Sequence, residues 1–319
     1  MNVYITIDVE VWCDSWSNID HSFLEAFQRY IYGPKTTGDC GLVRKIAILK
    51  DFDIKASFFV ESLFSLRFGL EPLAEIVGLI KEAGQEIQLH LHPEWADEAR
   101  PAIFPAGTPK RKHLRQFSAD EQIALVGVGL ERLSAAGADG VTALRAGNYG
   151  ANLNTIRAAS LHGLSVDTSY NPTAGWSEFG LRSGTRLFQP VLIEGVYEYP
   201  VSCFEDWPGH LRNAQIGACT VGELVGALDR AEKSGWNSFV IVSHNFELMN
   251  RTQTRTDPIV EKRFISFCRF LSRNRERFLP SGFVPGEFQT CSQQPGPLHS
   301  PTWRTILRMM VQSFRRIYR

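Results

Sequence analysis

Short apolar runs alternate along the chain with longer segments in which apolar residues recur every three or four positions. The short runs have the length and content of buried strands, whereas the longer segments have the periodicity of amphipathic helices. We predict strands at VYITID from Val3, IKASFFV from Ile54, EIQLHLH from Glu86, VTALRA from Val141, LSVDTS from Leu164, VYEYPV from Val196, SFVIVSH from Ser238 and GFVPGEF from Gly282. This alternation is typical of βα units built around a mainly parallel sheet.

Four helices are clearest from the apolar periodicity and from the residues at their ends. They are CGLVRKIAILKDF, LEPLAEIVGLIKEAG, SADEQIALVGVGLERLSAAG and TVGELVGALDRAEKSG. Two of these segments open with a Ser or Thr that can cap the helix, and three end at a Gly. The chain shows no internal repeat, so the pattern predicts an α/β protein rather than a repeat array.

Composition narrows the classes of function. The chain has 319 residues, 44% of them hydrophobic, and its 34 basic residues balance 34 acidic ones, so bulk charge gives no reason to expect nucleic acid as a partner. Six cysteines are scattered without a C-x-x-C pair, and the N-terminus runs straight into a strand, which predicts a cytoplasmic protein. No apolar run approaches the roughly 20 residues that a membrane-spanning helix needs.

Polar residues that could take part in catalysis or metal binding follow several of the predicted strands. They are Asp8 and Glu10 after the first, His90 and His92 after the third, Arg145 after the fourth, Asp167 after the fifth and His244 after the late strand. In a parallel barrel the carboxyl ends of the strands form one rim, so residues far apart in sequence meet around one pocket. Two carboxylates that close an apolar strand are costly to bury without a cation or another partner.

Five segments in this order resemble the motifs of the polysaccharide deacetylase family, the NodB-like carbohydrate esterases. ITIDVE resembles the T-F-D-D-G motif, ASFFV the T-F-F-V strand, EIQLHLHPEW the metal-binding H-x-x-x-H segment, LRAGNYGAN the R-x-P-Y-G motif and IVSHNFE the L-x-x-H motif. Each match is weak alone, but five in order at strand ends form a strong signal. The resemblance implies a distorted barrel of about seven parallel strands over residues 1–290.

The resemblance implies one divalent metal ion, with zinc as the expected ion, but two ligand positions depart from the family. Val9 stands where the family has its second aspartate, and Glu10 can supply the missing oxygen because it shares a strand face with Asp8. His90 matches the first family histidine. The second position falls on Glu94, with His92 as its rival, and both sets suit zinc or a similar ion.

The activity implied by the family is metal-assisted hydrolysis of an N-acetyl group on a saccharide. In that scheme Asp8 is the base, Arg145 orients it, His244 protonates the departing amine and Asp167 is a candidate partner for His244. A backbone N–H near Asn148 or Tyr149 is expected to stabilise the oxyanion. Trp95 and Trp207 are candidates for stacking on sugar, with packing in the wall as the alternative for both.

Two other functions share these residues. An amide hydrolase of the allantoinase type would use the same catalytic groups and differ in the loops around the pocket. A carbohydrate-binding relative without activity is suggested by Val9 at a ligand position, although Asp8 and His244 are retained. A zinc peptidase is less well supported because the chain has no H-E-x-x-H helix.

The C-terminus is predicted to form a separate element, a basic amphipathic helix over residues 301–319 that follows a linker at 291–300. Trp303, Leu307, Met310, Phe314 and Ile317 share one helical face, while Arg304, Arg308, Arg315 and Arg319 line a neighbouring one. We expect the apolar face to enter an anionic membrane surface and the arginines to meet its lipids, which would make the protein a peripheral one at the inner membrane face and a lipid-linked saccharide a sensible substrate. The alternative is a terminal helix packed on the barrel or in a dimer.

Overall fold

The structure, a computed structural model, describes residues 1–34, 38, 40–105, 110–174, 179, 181 and 185–317, with side chains as far as residue 313. Its strands are β1 (Asn2–Val9), β2 (Ser57–Glu61), β3 (Glu86–Leu91), β4 (Ala143–Ala146), β5 (Val166–Asp167), β6 (Val191–Ile193), β7 (Val196–Glu198), β8 (Cys203–Trp207), β9 (His210–Asn213), β10 (Ser238–His244), β11 (Leu279–Pro280) and β12 (Leu298–His299). Its α-helices are α1 (Ile19–Ile31), α2 (Leu42–Asp51), α3 (Ser65–Phe68), α4 (Glu71–Glu82), α5 (Ala119–Ala135), α6 (Leu153–Leu161), α7 (Val221–Lys233), α8 (Pro258–Arg273) and α9 (Thr302–Ile317).

The main sheet runs in the order β10, β1, β2, β3, β4, β5, β7, β6, and every neighbouring pair is parallel except β6 with β7. The short β11 adds to β1. Hydrogen bonds across the open side join β10 to the segment around β7, since Ser202 bonds to Val240 and the Gln189 amide donates to the Ser238 carbonyl at 3.0 Å. The predicted distorted barrel with seven parallel strands is therefore confirmed, as is the C-terminal helix.

The barrel is filled from below by aromatic side chains and carries its polar residues above them. On β1 the period of two puts Tyr4, Thr6 and Asp8 on the same face, with Tyr4 at the lower end and Asp8 at the upper end. Tyr4 is stacked on Phe283, with ring centroids 4.6 Å apart, and Phe59 and Tyr199 complete this cluster. This aromatic cluster fills the lower end of the barrel, and the polar side chains lie at the upper rim.

One predicted strand is wrong. GFVPGEF from Gly282 forms no strand in the structure, and the short pairing in this region occurs earlier, at β11. The apolar content of the segment has a different cause, because Phe283 inserts into the bottom of the barrel, where it is 1% exposed. An apolar run of this length does not by itself distinguish a strand from a loop that plugs a core.

Beside the barrel lies a small sheet that the sequence pattern did not predict. It has the order β12, β8, β9, in which β8 and β9 form a hairpin around the turn at Pro208 and Gly209. Gly209 has a φ of 76°, a conformation that glycine adopts readily and other residues avoid. The Pro-Gly pair was the available signal for this hairpin.

The segment 291–300, predicted as a linker, contains β12 and bonds to the body of the protein. β12 pairs with β8, and the Gln294 side chain bonds to the backbone of Phe188 and Gln189. The segment that leads to the C-terminal helix is thus bonded to the rest of the protein. Within the described residues, no helix is both long enough and apolar enough to cross a bilayer.

Helix α9 packs against the rest of the protein with its polar side. Arg308, which was expected to meet lipid, is instead 2% exposed and donates to Asp206 at 2.7 Å and to Glu223 at 2.8 Å. Arg304 donates to the Gly222 carbonyl, and Gly226 leaves the space that its guanidinium fills. The prediction that these two arginines face outward is therefore wrong. The outward side carries large apolar residues, namely Trp303, Ile306, Leu307, Met309 and Met310, each between 45% and 57% exposed.

Candidate active site

The upper rim of the barrel brings together most of the polar residues predicted from the strand ends. Strand register explains two of the juxtapositions directly. Asp8 on β1 is the partner of His244 on β10, and His90 on β3 is the partner of Arg145 on β4. Because these strands are parallel, their carboxyl ends lie at one edge, and all four side chains line one cavity of about 260 Å³.

Glu10, His90 and His92 form the tightest cluster at this edge. Glu10 Oε1 lies 3.1 Å from His90 Nε2 and 2.9 Å from His92 Nε2, and all three residues are at least nine-tenths buried. Burial would raise the pKa of Glu10, but the charge of His92 and hydrogen bonds from both imidazoles hold that pKa well below its ordinary value. Two imidazole nitrogens and one carboxylate oxygen that converge in a buried place could hold a divalent metal ion.

Hydrogen bonds from neighbouring groups orient two of these three donors, His90 and Glu10. His90 Nδ1 bonds to the Arg145 carbonyl at 2.8 Å, which directs Nε2 toward Glu10. The Trp12 indole donates to Glu10 Oε2 at 2.6 Å and so turns the other carboxylate oxygen toward the imidazoles. Such outer contacts are typical of metal-binding histidines and carboxylates. The residues present therefore fit a divalent cation.

The structure separates the two rivals for the remaining ligand position. His92 Nε2 faces Glu10, while the Glu94 carboxylate lies on the other side of the ring, 3.5 Å from His92 Nδ1. Glu61, which the sequence analysis missed, accepts a hydrogen bond from the backbone N–H of His92 and another from Leu63 at 2.6 Å. Burial raises the pKa of Glu61 to about 8. Glu94 and Glu61 thus surround His92 without joining the cluster.

Position 147, beside this cluster, has no room for a side chain, so a glycine is required there. A Cβ at that position would come within 2.6 Å of the His92 imidazole, closer than side-chain carbons approach one another. The glycine of the R-A-G sequence after β4 therefore lets the backbone pack against the imidazole face. The Trp12 indole also contacts the His92 ring, with ring centroids 4.7 Å apart and the two planes nearly perpendicular.

Asp8 is held by a fully buried arginine. Arg145 Nη1 donates to Asp8 Oδ1 at 2.6 Å, and the rest of its guanidinium bonds to the carbonyl and hydroxyl of Thr168 at 3.2 Å each. The Phe59 ring lies under the guanidinium, 4.5 Å from it. The second oxygen of Asp8 remains on the cavity side, 3.9 Å from His244 Nε2. A base and an acid candidate thus face the same space.

The carboxylate beside His244 is that of Glu247. His244 Nδ1 lies 3.5 Å from Glu247 Oε1. Burial alone would lower the pKa of His244, but the Glu247 carboxylate and the charges of Glu10 and Asp8 outweigh it and raise that pKa to about 9. Asp167, predicted as the partner, lies elsewhere, where it accepts from the backbone and hydroxyl of Ser169 and pairs with Glu198.

The residues predicted to bind substrate fall in different places. Asn148 and Tyr149 line the cavity, and their φ values of 53° and 55° place both in the left-handed region, unusual for residues other than glycine. Trp95 is 1% exposed and packs in the wall behind Trp16, 4.8 Å away. Trp207 is half exposed at the end of β8 and does not line the cavity.

Besides Glu61, the sequence pattern missed further polar or aromatic residues at or beside the cavity. Trp12, Asn213 and Gln215 line it, and Glu247 and Lys45 lie behind His244. The spacing of three between His244 and Glu247 was a usable signal, because residues three apart share a face of a helical turn. Asn213 ends β9 and Gln215 follows it, so both depend on the hairpin, whose signal was the Pro-Gly pair.

The fold is similar to that of a solved structure described as a polysaccharide deacetylase. No protein-family model and no curated protein matches the sequence. A Mycobacterium smegmatis protein, provisionally described as a polysaccharide deacetylase, superposes with a TM-score of 0.56 at 14% identity, covering 88% of this chain and 86% of that one. At this identity the likeness establishes a shared fold, and the predicted resemblance is confirmed at that level.

Two further solved structures are similar to this chain more distantly. A family 4 carbohydrate esterase from Streptomyces lividans has a TM-score of 0.46 at 11% identity, covering 93% of this chain and 97% of that one. The peptidoglycan deacetylase PdaC from Bacillus subtilis has a TM-score of 0.40 at 12% identity, covering 99% and 96%.

Proposed function

We propose that this protein is a metal-dependent hydrolase that removes an N-acetyl or related N-acyl group from an amino sugar in an oligo- or polysaccharide. The observation that carries the proposal is the convergence of a Glu10–His90–His92 donor set, an Arg145-bound Asp8 and His244 around one cavity. The name of the solved structure that shares the fold, a polysaccharide deacetylase, supports the same class of substrate.

Glu10, His90 and His92 are the residues proposed to hold the metal, and zinc is the ion we expect because imidazole and carboxylate donors suit it. When bound, a divalent ion polarises the acyl carbonyl and lowers the pKa of a water molecule. Glu94 is assigned to the outer side of His92, where its contact with Nδ1 favours the tautomer that leaves Nε2 free.

The chain's own residues supply the proton transfers. Asp8 accepts a proton from the attacking water, and Arg145 holds the carboxylate in place for that step. The backbone N–H groups at Asn148 and Tyr149 are proposed to stabilise the oxyanion. His244 gives its proton to the amine as the carbon–nitrogen bond breaks, so that water is divided between the products, a carboxylate and a free amino group.

The size and lining of the cavity suggest how much substrate enters. At about 260 Å³ it lies at the low end for ligand pockets, so one acylated sugar unit enters and the rest of the saccharide stays outside. Asn213 and Gln215 offer amide groups to sugar hydroxyls at its wall, and Trp12 offers an aromatic ring.

The test is release of acetate from N-acetylated oligosaccharides by zinc-loaded protein, compared with protein treated with a chelator. We expect activity that disappears on metal removal and returns with zinc. An allantoinase-type amide hydrolase would open allantoin and leave the saccharides intact. Saccharide binding without acetate release, in protein shown to contain metal, would instead support a carbohydrate-binding relative.

We further propose that α9 attaches the protein to an anionic membrane surface at the cytoplasmic face, where a lipid-linked saccharide would be the substrate. The observation that favours this is the orientation of α9, whose buried Arg308 faces the barrel and whose apolar side faces outward. Exposed apolar patches of this kind mark interaction surfaces. Beyond the two inward arginines, the sequence ends with Arg315, Arg316 and Arg319 and has no acidic residue after Pro301, a composition that complements anionic lipid.

Co-sedimentation with vesicles of phosphatidylcholine alone or mixed with phosphatidylglycerol tests this second proposal. We expect the full chain to bind the anionic vesicles at low salt and to bind less at high salt. The double variant Leu307→Gln with Met310→Gln should lose binding while its fold is retained. Equal, negligible sedimentation of both proteins would refute the proposal. If the wild type is a dimer and the double variant is a monomer, the apolar surface binds a second copy of the chain instead.

A further inference from the structure

His244 reaches the cavity with only one of its ring nitrogens. Nε2 is directed toward Asp8 at 3.9 Å, and Nδ1 lies behind, 3.5 Å from Glu247 Oε1. A general acid of this kind must be protonated when the amine departs and must present the correct nitrogen to it. Whatever holds Nδ1 therefore decides how well Nε2 can act.

Glu247 is itself held firmly in place. Ser243 donates its hydroxyl to Glu247 Oε2 at 2.6 Å, and the Gln215 side chain donates to Oε1. Gly217 packs against the carboxylate, since a Cβ there would lie 3.1 Å from both its carbon and Oε1. A carboxylate with both oxygens engaged and no free space beside it keeps one orientation.

Lys45 is the least expected member of this group. It belongs to α2, a helix that otherwise contributes Leu42, Ile46 and Leu49 to the core, yet its side chain is fully buried. Its ammonium donates to the Ser243 hydroxyl, lies 3.9 Å from Glu247 Oε2 and rests 4.8 Å from the centre of the Phe264 ring. Burying an ammonium is costly unless it is paired, so a lysine here requires the Glu247 carboxylate.

The charges of the two partners fit this reading. Burial would raise the pKa of Glu247, but the adjacent His244 and Lys45 lower it to about 2. Burial lowers the pKa of Lys45 to about 8 in spite of Glu247. Near pH 7 the group therefore holds an ammonium, a carboxylate and an imidazolium in a row, each next to an opposite charge.

We propose that Lys45 and Glu247 are positioning residues for His244, with Lys45 fixing the ionised Glu247 carboxylate and Glu247 holding the His244 imidazolium so that Nε2 faces the leaving amine. This inference rests on the proposed function for the role of His244 in turnover. The contacts among the three side chains are independent of that function, so they can be tested without substrate.

The group comes from separate parts of the fold, which argues against chance proximity. Lys45 comes from α2, Ser243 and His244 come from the end of β10, Glu247 follows in the turn after it and Gln215 follows β9. Within the part of the chain that the structure describes, the other carboxylates that raise the pKa of His244 are Asp8 and Glu10 from the β1 side. Glu247 is the one that contacts Nδ1, the nitrogen directed away from the cavity.

The experiment uses the zinc-loaded full chain with ¹⁵N-labelled histidine, and follows the His244 resonances across pH without substrate. Glu247→Gln keeps the shape of the side chain and removes its charge. We expect the apparent pKa of His244 to fall by at least one unit in this variant and to recover in part in Glu247→Asp. An unchanged His244 titration in Glu247→Gln would overturn the inference.

The stability and kinetics of a double variant distinguish a role in positioning His244 from a purely structural role of the Lys45–Glu247 pair. Lys45→Met should destabilise the protein because it leaves Glu247 buried without its cation, and combining it with Glu247→Gln should restore much of that stability. We expect kcat of the double variant to remain about 10- to 100-fold low with KM changed less than threefold, a loss within the range for impaired acid catalysis. Recovery of wild-type kcat and of the His244 titration together with stability would show that the pair is only structural.

The two readouts also separate this inference from the proposed function. If the protein proves inactive on every N-acylated saccharide while the titration responds as expected, the positioning contact stands and the deacetylase proposal fails. If deacetylation is observed and Glu247→Gln changes neither the His244 titration nor kcat, the deacetylase proposal stands and the positioning inference fails.

Discussion

Two buried arginines hold carboxylates in this protein, and they leave those carboxylates in opposite conditions. Arg145 binds one oxygen of Asp8 and leaves the other on the cavity side. Arg308 binds Asp206, whose two oxygens are also engaged by His210 and Arg212 at 2.5 Å. One oxygen of Asp8 therefore remains available to accept a proton on the cavity side, whereas both oxygens of Asp206 accept hydrogen bonds from basic side chains.

The difference shows that a buried ion pair is not by itself a sign of chemistry. Both arginines are at most 2% exposed, and both follow from the cost of burying charge without a partner. What distinguishes them is whether the pair borders a cavity with an unsatisfied oxygen. By that criterion Asp8 is the candidate for catalysis, whereas Asp206 joins α9 to the rest of the protein.

The largest effect that tests this comparison of the two ion pairs is expected at Asp8. Asp8→Asn keeps the shape of the side chain but removes the base, so we expect kcat for deacetylation to fall by about 10²- to 10⁴-fold. The thermal midpoint should fall, because the variant leaves the buried Arg145 without its carboxylate, whereas the metal content should stay close to that of the wild type. Steady-state kinetics on the zinc-loaded protein provide the measurement, and a near-normal rate in the folded variant would remove Asp8 from the mechanism.

At the second arginine the expected effect is on stability. Arg308→Met leaves Glu223 and part of Asp206 buried without their cation, so the free energy of unfolding should fall by about 3 to 5 kcal/mol. Urea unfolding measures this loss. Turnover per folded molecule on a soluble saccharide should be unchanged, and a large fall in kcat without loss of stability would contradict the division between the two arginines.

A smaller effect is expected where backbone packing orients a metal donor. In Gly147→Ala the new methyl group would press on the His92 ring and turn it away from Glu10. Zinc affinity should fall by about 10- to 100-fold, the usual effect of disturbing the support of a ligand. Competition with a chromophoric chelator measures the affinity. Gly78→Ala is a matched control because a Cβ at Gly78 meets nothing within 4 Å.

The smallest effect concerns acid stability at Asp206. Burial would raise the pKa of Asp206, but Arg212, His210 and Arg308 lower it from 3.8 to about 2. Between these values the unfolded chain binds more protons than the folded one, so the stabilisation is present above about pH 4 and is lost as pH falls toward 2. The difference in unfolding free energy between the wild type and Asp206→Asn should therefore shrink by about 1 kcal/mol from pH 6 to pH 3.

Urea titrations of the two proteins at both pH values provide this measurement. A difference that stays constant with pH would mean that the cations around Asp206 do not favour its ionised form.

Local pattern determined much of this protein. The apolar runs predicted seven strands of the main sheet, and polar residues at their ends predicted most of the cavity floor, because parallel strands bring their carboxyl ends to one edge. The pattern failed for short elements. β8 and β9 are stabilised by pairing with each other and with β12, and a pattern of residues within one strand carries no information about a partner 90 residues away.

Only the tertiary structure decided how individual side chains meet. Sequence order placed Asp167 and His244 at the same rim, but the turn after β10 brings Glu247 to His244 first, and Asp167 bonds to Ser169 instead. The same limit applies to α9. Helical periodicity determined which residues share a face, but it did not determine which face turns inward, because that depends on Asp206 and Glu223 in other elements, whose buried carboxylates require the charge of Arg308.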